Sequence, residues 1–136
     1  MKIIQVSGRA NTGKTTFIRK LIPLLKSRGR VGVIKHLGDH EFLLEEGKDT
    51  TLFFDDGADV SVGIDSTKSV IAIHTDNLDN ILHFLKNDGV DFAVIEGFKQ
   101  RKFPKIIIGD LPSDTCVLRN PTVEQVISSL SLFEDY

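Results

Sequence analysis

The chain alternates between short apolar runs and stretches in which apolar residues recur every three or four positions. Lys2–Ser7 is an apolar run followed by a glycine-containing turn, the pattern of a short buried strand. From Gly13 the period changes. Phe17, Ile18, Leu21, Ile22 and Leu25 lie on one face of a helix, with Gly29 as its expected C-cap. Pro23 interrupts that helix and cannot donate to the carbonyl of Arg19, so a kink is expected there. Val31–His36 reads as a second strand, and residues 47–56 as a helix ending at Gly57. Val60–Ile64 and Ser69–Ile73 are strands around an Asp65-Ser66-Thr67-Lys68 turn. Leu78–Leu85 is a helix with Asp76 or Asn77 as its cap. Phe92–Glu96, Lys105–Ile108 and Cys116–Leu118 read as further strands. Pro121 and Thr122 open a last helix carrying Val123, Val126, Ile127 and Leu130.

Strands alternating with helices predict an α/β fold: a mainly parallel sheet covered by helices on both faces. The 136 residues suit one compact domain spanning 1–136. No window reaches the roughly 18 consecutive apolar residues of a membrane span, and Met1–Val6 is too short for a signal peptide. The single cysteine, Cys116, cannot form an intramolecular disulfide or a four-cysteine zinc site. A cytoplasmic protein is expected.

Charge is unevenly spread. The net charge of −2 hides a first segment, residues 1–38, rich in Lys and Arg and free of acids. Residues 39–59 are strongly acidic. The overall balance excludes the strongly basic character of a nucleic-acid binder, while the basic segment suits a polyanionic ligand.

The most informative stretch is Gly8-Arg9-Ala10-Asn11-Thr12-Gly13-Lys14-Thr15, the phosphate-loop pattern G-x-x-x-x-G-K-T, with a strand before it and a helix after it. Gly8 and Gly13 allow the backbone to wrap phosphate oxygens with its N–H groups. The start of the following helix adds attraction for the anion. Lys14 brings a charge to the β- and γ-phosphates, Thr15 offers a hydroxyl to Mg²⁺, and Thr16 can add a phosphate hydrogen bond. The fold class is therefore that of a P-loop NTPase.

Ligands of open α/β sheets bind at the carboxyl ends of the strands, and this sorts the acids. Asp91 is at the wrong end of its strand. Glu96 closes the run Phe92–Ile95 at the right end and is the candidate second metal ligand with Thr15. Asp39 follows the second strand and is the candidate for a catalytic role near the γ-phosphate. His36 and His40 are four apart on a loop, a spacing that carries no fixed metal geometry. His74 and His83 have no motif around them. Lys99, Arg101, Lys102 and Lys105 form a basic stretch that could dock a second anion.

With these residues in place, the chain resembles the molybdopterin-guanine dinucleotide biosynthesis protein B (MobB) family. The resemblance rests on Gly8 through Thr16, Val33-Ile34-Lys35-His36, Gly47-Lys48-Asp49-Thr50, Gly57-Ala58, Ile95-Glu96-Gly97-Phe98-Lys99 and Pro104-Lys105-Ile106, in this order. It implies a GTP-binding P-loop protein, a homodimer, with slow GTPase activity and Mg²⁺ as its metal. It implies a supporting role in attaching GMP to molybdopterin, the transfer being made by a MobA-type guanylyltransferase. On this carry-over Gly8, Arg9, Ala10, Asn11, Thr12, Gly13, Lys14, Thr15 and Thr16 form the nucleotide site, with Thr15 and Glu96 at the metal. Lys35, His36, Lys48 and Asp49 fall at family motif positions. The chain departs from the family in lacking a His two or three residues after His36, and in reading Leu52-Phe53-Phe54-Asp55-Asp56 where relatives carry basic residues.

The guanine preference comes from the resemblance. No N-K-x-D or T-K-x-D sequence is present, and Asp110 and Asp114 are the nearest candidates for a base contact. Two other functions are compatible with the P-loop: a small-molecule kinase and a metal-delivery GTPase. A kinase needs lid arginines, for which only Arg101 and Arg119 are available away from the P-loop and the first helix. Metal delivery draws on the His36–His40 pair alone.

Overall fold

The computed structural model describes residues 1–38 and 40–136. The chain divides into two compact units. One comprises Met1–Gly38 with Ile81–Tyr136, the other Asp39–Asn80.

The larger unit is built on a five-stranded sheet in which every neighbour is parallel. The strands are β1 (Lys2–Ser7), β2 (Val31–Lys35), β5 (Phe92–Glu96), β6 (Lys105–Ile107) and β7 (Cys116–Arg119), and their spatial order is β2-β5-β1-β6-β7. Helix α1 (Lys14–Lys26) and helix α4 (Val123–Ser128) cover one face. On that face Ile4, Val6, Phe92, Val94 and Ile106 pack with Ile18, Leu21, Leu25 and Val126. Fully burying such an aliphatic side chain stabilises the fold by about 1.5–3 kcal/mol. Alternation along the strands sends Ile3, Gln5 and Ser7 to the other face, with Ala93, Ile95 and Lys105 beside them in register. Helix α3 (Leu78–Asn87) covers this rear face, where a Cβ on Gly32 would meet the Leu85 methyls at 2.9 and 3.2 Å.

Several boundaries move from the pattern-based expectation. Strand β2 stops at Lys35, β6 stops at Ile107, and α3 runs on to Asn87. The last helix breaks at Ser128, so Leu130 lies in a short 3₁₀ turn, Leu130–Leu132. Its start is a capping box: Thr122 Oγ1 accepts from the Gln125 N–H at 3.2 Å, and Gln125 Oε1 from the Thr122 N–H at 2.8 Å. Asn77, rather than Asp76, caps α3, its Oδ1 accepting from the Asp79 N–H at 2.8 Å. Gly29 is not a left-handed cap, because α1 ends on Ser27 with ordinary backbone angles. Gly29 is instead pressed against the Asp91 carboxyl, which a Cβ would strike at 2.5–2.8 Å; that carboxyl accepts the Arg30 N–H.

The smaller unit holds helix α2 (Asp49–Asp55) and an antiparallel hairpin of β3 (Val60–Ile64) and β4 (Ser69–Ile73). Buried Ser61 ties hairpin to helix by donating to the Thr50 carbonyl at 2.6 Å. Asp65 closes the turn, its Oδ1 accepting the Thr67 and Lys68 N–H groups at 2.7 and 2.9 Å. The Lys68 ammonium and these N–H groups hold the Asp65 carboxyl far below the usual carboxylate range. His74 packs as a structural residue, stacked on Phe54 with ring centroids 3.6 Å apart.

Three polar residues, Gln5, Ser7 and Lys105, are buried on the larger unit's rear face, and two of them bind the loop after β5. Gln5 is 0% exposed and Lys105 4%. Gln5 Nε2 donates to the carbonyls of Gly97 and Phe98 at 2.6 and 2.8 Å, and Lys105 Nζ donates to those of Lys99 and Arg101 at 3.1 and 2.7 Å. Burial pushes the Lys105 ammonium below its ordinary pKa, and the nearby Asp114 carboxylate partly restores it.

Lys105→Met strips two carbonyls of their buried donor and is expected to destabilise the fold by roughly 1–3 kcal/mol. The native pKa of Lys105 lies below its unfolded value, so between the two the unfolded chain binds more protons. The wild type's advantage over the Met variant should therefore grow as pH rises through the alkaline range below the ordinary lysine pKa. Denaturant titrations of both proteins at neutral and alkaline pH measure this. An advantage that is flat or falling with pH contradicts it.

Candidate functional site

The parallel register brings three strand ends to one level. Val6 pairs with Glu96, and Glu96 pairs with Lys35. The loop leaving β1 therefore starts beside the carboxylate that closes β5.

That loop is held by its own chain. A Cβ on Gly8 would run into the Ile108 carbonyl oxygen, so only glycine lets β1 turn here against the end of β6. Asn11 (φ 59°) and Gly13 (φ 89°) take left-handed angles, which curl the backbone just before α1. Thr12 Oγ1 and Lys14 Nζ both donate to the Arg9 carbonyl, at 2.9 and 2.6 Å. The lysine charge is thus parked on the loop it serves. Arg9 Nε is 3.2 Å from Asp110 Oδ1. Thr15 and Thr16 are exposed in the first turn of α1.

Glu96 sits over this loop with its side chain 13% exposed. Its Oε2 accepts from Thr15 Oγ1 at 3.2 Å, and its Oε1 lies 3.7 Å from Lys35 Nζ. The two residues expected at a metal are brought together, and a cation, the Lys35 ammonium, is beside them. A cavity of about 410 Å³ opens here, lined by Gly8, Ala10 and Lys14 from one side and by His36, Glu96 and the 97–100 loop from the others. His36 stacks on Phe98 with centroids 4.3 Å apart.

Other candidates are placed elsewhere or already engaged. Asp39 lies outside the described residues. Among the described residues no group of three or more His, Cys, Asp or Glu is arranged to hold a metal, so the His36–His40 pair finds no further ligands. Lys105 is turned into the rear of the sheet and is withdrawn from the basic stretch; Lys99 keeps its place beside the cavity. Arg101 lies over the Phe103 ring at 5.0 Å. The Arg119 guanidinium is spent on the carbonyls of Gly109 and Leu111 at 3.2 Å, which fixes the loop after β6. Asp114 acts on Lys105. Lys48 pairs with Glu45 at 3.3 Å, and Asp49 starts α2. His83 Nδ1 is 2.6 Å from the Tyr136 hydroxyl.

Gln5 and the Lys35–Glu96 pairing were not assigned from sequence. A lone glutamine inside Ile3-Ile4-Gln5-Val6 was the available signal for the first, since a polar residue in an apolar strand is buried only with partners.

Gly8→Ala is expected to disturb the loop, because the added methyl meets a backbone oxygen that cannot swing aside. Phosphate or nucleotide affinity should fall by about tenfold or more, together with a loss of stability of roughly 1–3 kcal/mol. Calorimetry and thermal melts check both. A variant with unchanged melting and unchanged binding contradicts the close approach at Ile108.

Comparison with known proteins follows the same lines. Residues 3–129 match the family described as molybdopterin guanine dinucleotide synthesis protein B, MobB. A Haemophilus influenzae molybdopterin-guanine dinucleotide biosynthesis adapter protein is 32% identical over 110 residues, covering 78% of this chain and 62% of that one. The Escherichia coli adapter protein is 31% identical over 112 residues, covering 78% and 64%. A Methanocaldococcus jannaschii relative is 34% identical over 112 residues, covering 79% of this chain and 47% of its own. The matched segments thus span about half to two-thirds of these curated relatives. In fold, Bacillus subtilis MobB superposes with a TM-score of 0.73 at 22% identity over 100% of both chains. A MobB homologue from Bacillus stearothermophilus does so with a TM-score of 0.61 at 18% identity, over 95% and 92%. Both have the α/β P-loop architecture built above. The chain belongs to the MobB family of molybdopterin-guanine dinucleotide biosynthesis proteins.

Proposed function

We propose that the chain is a GTP-binding adapter that supports the attachment of GMP to molybdopterin, the transfer itself being made by a MobA-type guanylyltransferase. The observation that carries this reading is the meeting of Thr15 and Glu96 at the mouth of the Gly8–Thr15 loop, 3.2 Å apart. A hydroxyl and a carboxylate beside a phosphate loop are the hard oxygen donors that Mg²⁺ selects. Thr15 and Glu96 would hold the ion, directly or through water. The ion would supply charge to offset the triphosphate. The loop's N–H groups and Lys14 would bind the phosphates, with Lys14 leaving the Arg9 carbonyl to do so.

The guanine preference and the role with molybdopterin are supported by the family and by the adapter names of the relatives. Slow hydrolysis is in keeping with the arginines. A supplied arginine is worth about 10³–10⁵ in rate; here Arg9 faces Asp110 and Arg119 holds a loop. The same placements disfavour a kinase, which needs free arginines over the transferred group. A homodimer is supported by the smaller unit, where Phe42, Leu43 and Ile64 are 78%, 82% and 78% exposed. No helix among the described residues is long and apolar enough to cross a membrane. A cytoplasmic location is in keeping with this and with the single cysteine.

Lys14→Ala should leave the fold intact and lower GTP affinity by at least about tenfold, as expected for a lost charge-assisted phosphate contact. Wild-type affinity in a folded variant, measured by calorimetry, would sink the nucleotide site.

Glu96→Gln keeps size and an acceptor oxygen but removes the charge. Binding of metal-free GTP should be unchanged or slightly better, while the Mg²⁺ concentration needed for hydrolysis rises and the already slow rate falls. Superimposable Mg²⁺ titrations for variant and wild type would remove Glu96 from the metal site.

A further inference from the structure

The wall of the cavity that faces the phosphate loop carries one ring held from several directions. His36 follows the last residue of β2, and its N–H donates to the Glu96 carbonyl at 2.9 Å, which carries the pairing of β2 with β5 one residue further. Its imidazole stacks on the Phe98 ring, with centroids 4.3 Å apart and planes 27° from parallel. Gly97 makes room for it. A Cβ there would meet the His36 Cβ at 2.8 Å, and a φ of 98° favours glycine in any case. Phe98 itself is left-handed, φ 48°. That conformation costs a non-glycine residue on the order of 1–3 kcal/mol and persists only where the surroundings over-determine it. Buried Gln5 does so here, its amide donating to the carbonyls of Gly97 and Phe98 at 2.6 and 2.8 Å. The imidazole is thus fixed in place, yet neither of its nitrogens has a hydrogen-bond partner among the described residues.

Hydrolysis of a triphosphate needs a water placed in line with the terminal phosphorus, and little covalent chemistry from the protein. Phosphates wrapped by residues 8–15 present their open side to the facing wall, so the water is held from there. The side chains of that wall are His36, Leu37, Glu96, Phe98, Lys99 and Gln100. Leu37 and Phe98 have no hydrogen-bonding group. The Lys99 ammonium only donates and takes no hydrogen from water. Glu96 is engaged by Thr15 and Lys35 and serves the metal. Gln100 has an acceptor, but it is exposed and nothing among the described residues holds its amide. Positioning is what accelerates such a step, and a group left loose supplies little of it. Among these side chains His36 alone joins a lone pair to a fixed place, since a neutral imidazole has one nitrogen that accepts.

We propose that His36 is the catalytic residue of GTP hydrolysis, one ring nitrogen accepting a hydrogen bond from the attacking water and aiming it at the terminal phosphorus. This deepens the nucleotide-binding function proposed above and rests on it. The water oxygen bonds to the γ-phosphorus, the bond from that phosphorus to the β–γ bridging oxygen breaks, and GDP leaves with the electron pair. The water hydrogen held by His36 passes to a γ-phosphate oxygen, so both hydrogens depart on the inorganic phosphate and the imidazole ends as it began. Phe98 is the positioning residue of the ring, and Gln5 is that of Phe98. The rate stays low, because the ring orients water without adding the charge that a supplied arginine brings.

Steady-state GTP hydrolysis with Mg²⁺, measured beside GTP binding by calorimetry, tests this on the full chain. His36→Phe keeps a ring on Phe98 and removes both nitrogens. Its kcat should fall by at least about tenfold. Its KM and GTP affinity should stay within about twofold of the wild type, the pattern of an interaction made only in the transition state. His36→Gln loses the ring but keeps an acceptor, and should retain more of kcat than His36→Leu, a difference that stacking alone does not produce. That second pair decides the matter if His36→Phe melts early. The proposal is overturned if folded His36→Phe turns over as the wild type, if it raises KM with kcat unchanged, or if His36→Gln and His36→Leu lose kcat equally. A wild type that binds GTP without hydrolysing it also overturns the proposal and leaves the nucleotide reading standing. A wild type that binds no GTP removes both.

Discussion

The register of three parallel strands is the constraint on which the site depends. Because Val6, Glu96 and Lys35 lie side by side on β1, β5 and β2, the phosphate loop, a carboxylate and an ammonium emerge at the same level of one sheet edge. A shift of one residue would send Glu96 to the opposite face, away from Thr15. That register is held by the apolar face: Ile4, Val6, Phe92 and Val94 are packed under α1, so slipping any strand would expose them. Core packing and site geometry are thus one arrangement, and the strength of the first fixes the second.

The rear face adds a second, polar constraint. An apolar residue at position 5 or 105 would pack there at less desolvation cost. Gln5 and Lys105 instead bind four carbonyls of a single loop. Their shared effect is to fix the path of residues 97–101, which contain no regular structure of their own to hold them. The P-loop is stiffened by other means, through Gly8 against Ile108 and through the bonds of Thr12 and Lys14 to the Arg9 carbonyl. Lys14 and Glu96 both have partners in the protein, Arg9 and Lys35, that a nucleotide and a metal ion would replace. Under the proposed function, binding would exchange these partners rather than create charge at the site.

Much of this was readable from residue order. The phosphate loop declares itself by spacing, and the rule that ligands sit at strand C-termini separates Glu96 from Asp91, which bonds the Arg30 N–H at the far end. The alternation of strands and helices gives the parallel sheet, and the Asp65-Ser66-Thr67-Lys68 turn gives the β3–β4 pairing; that this hairpin forms a sheet of its own is not readable from the pattern. What could not be read depends on which residues face each other across strands. Lys105 looked like one more cation in a basic loop, because nothing in Arg101-Lys102-Phe103-Pro104-Lys105 says which lysine turns inward. Gly29 looked like a helix cap, and its real neighbour, Asp91, is distant in sequence. The partnership of Lys35 with Glu96 follows only once β2 is known to lie beside β5. Helix ends missed by two residues, at α3 and α4, reflect local caps too weak to be decided without their tertiary contacts.

The central claim is that the edge shared by β1, β5 and β2 holds a magnesium–nucleoside triphosphate. A crystal structure with a non-hydrolysable GTP analogue and Mg²⁺ tests it most directly. The account predicts phosphates enclosed by residues 8–15, Lys14 moved from the Arg9 carbonyl to a phosphate oxygen, and the metal on the Thr15 hydroxyl with Glu96 turned to it from Lys35. An analogue bound elsewhere, or bound here with Thr15 and Glu96 still joined to each other and no metal between them and the phosphates, would contradict it.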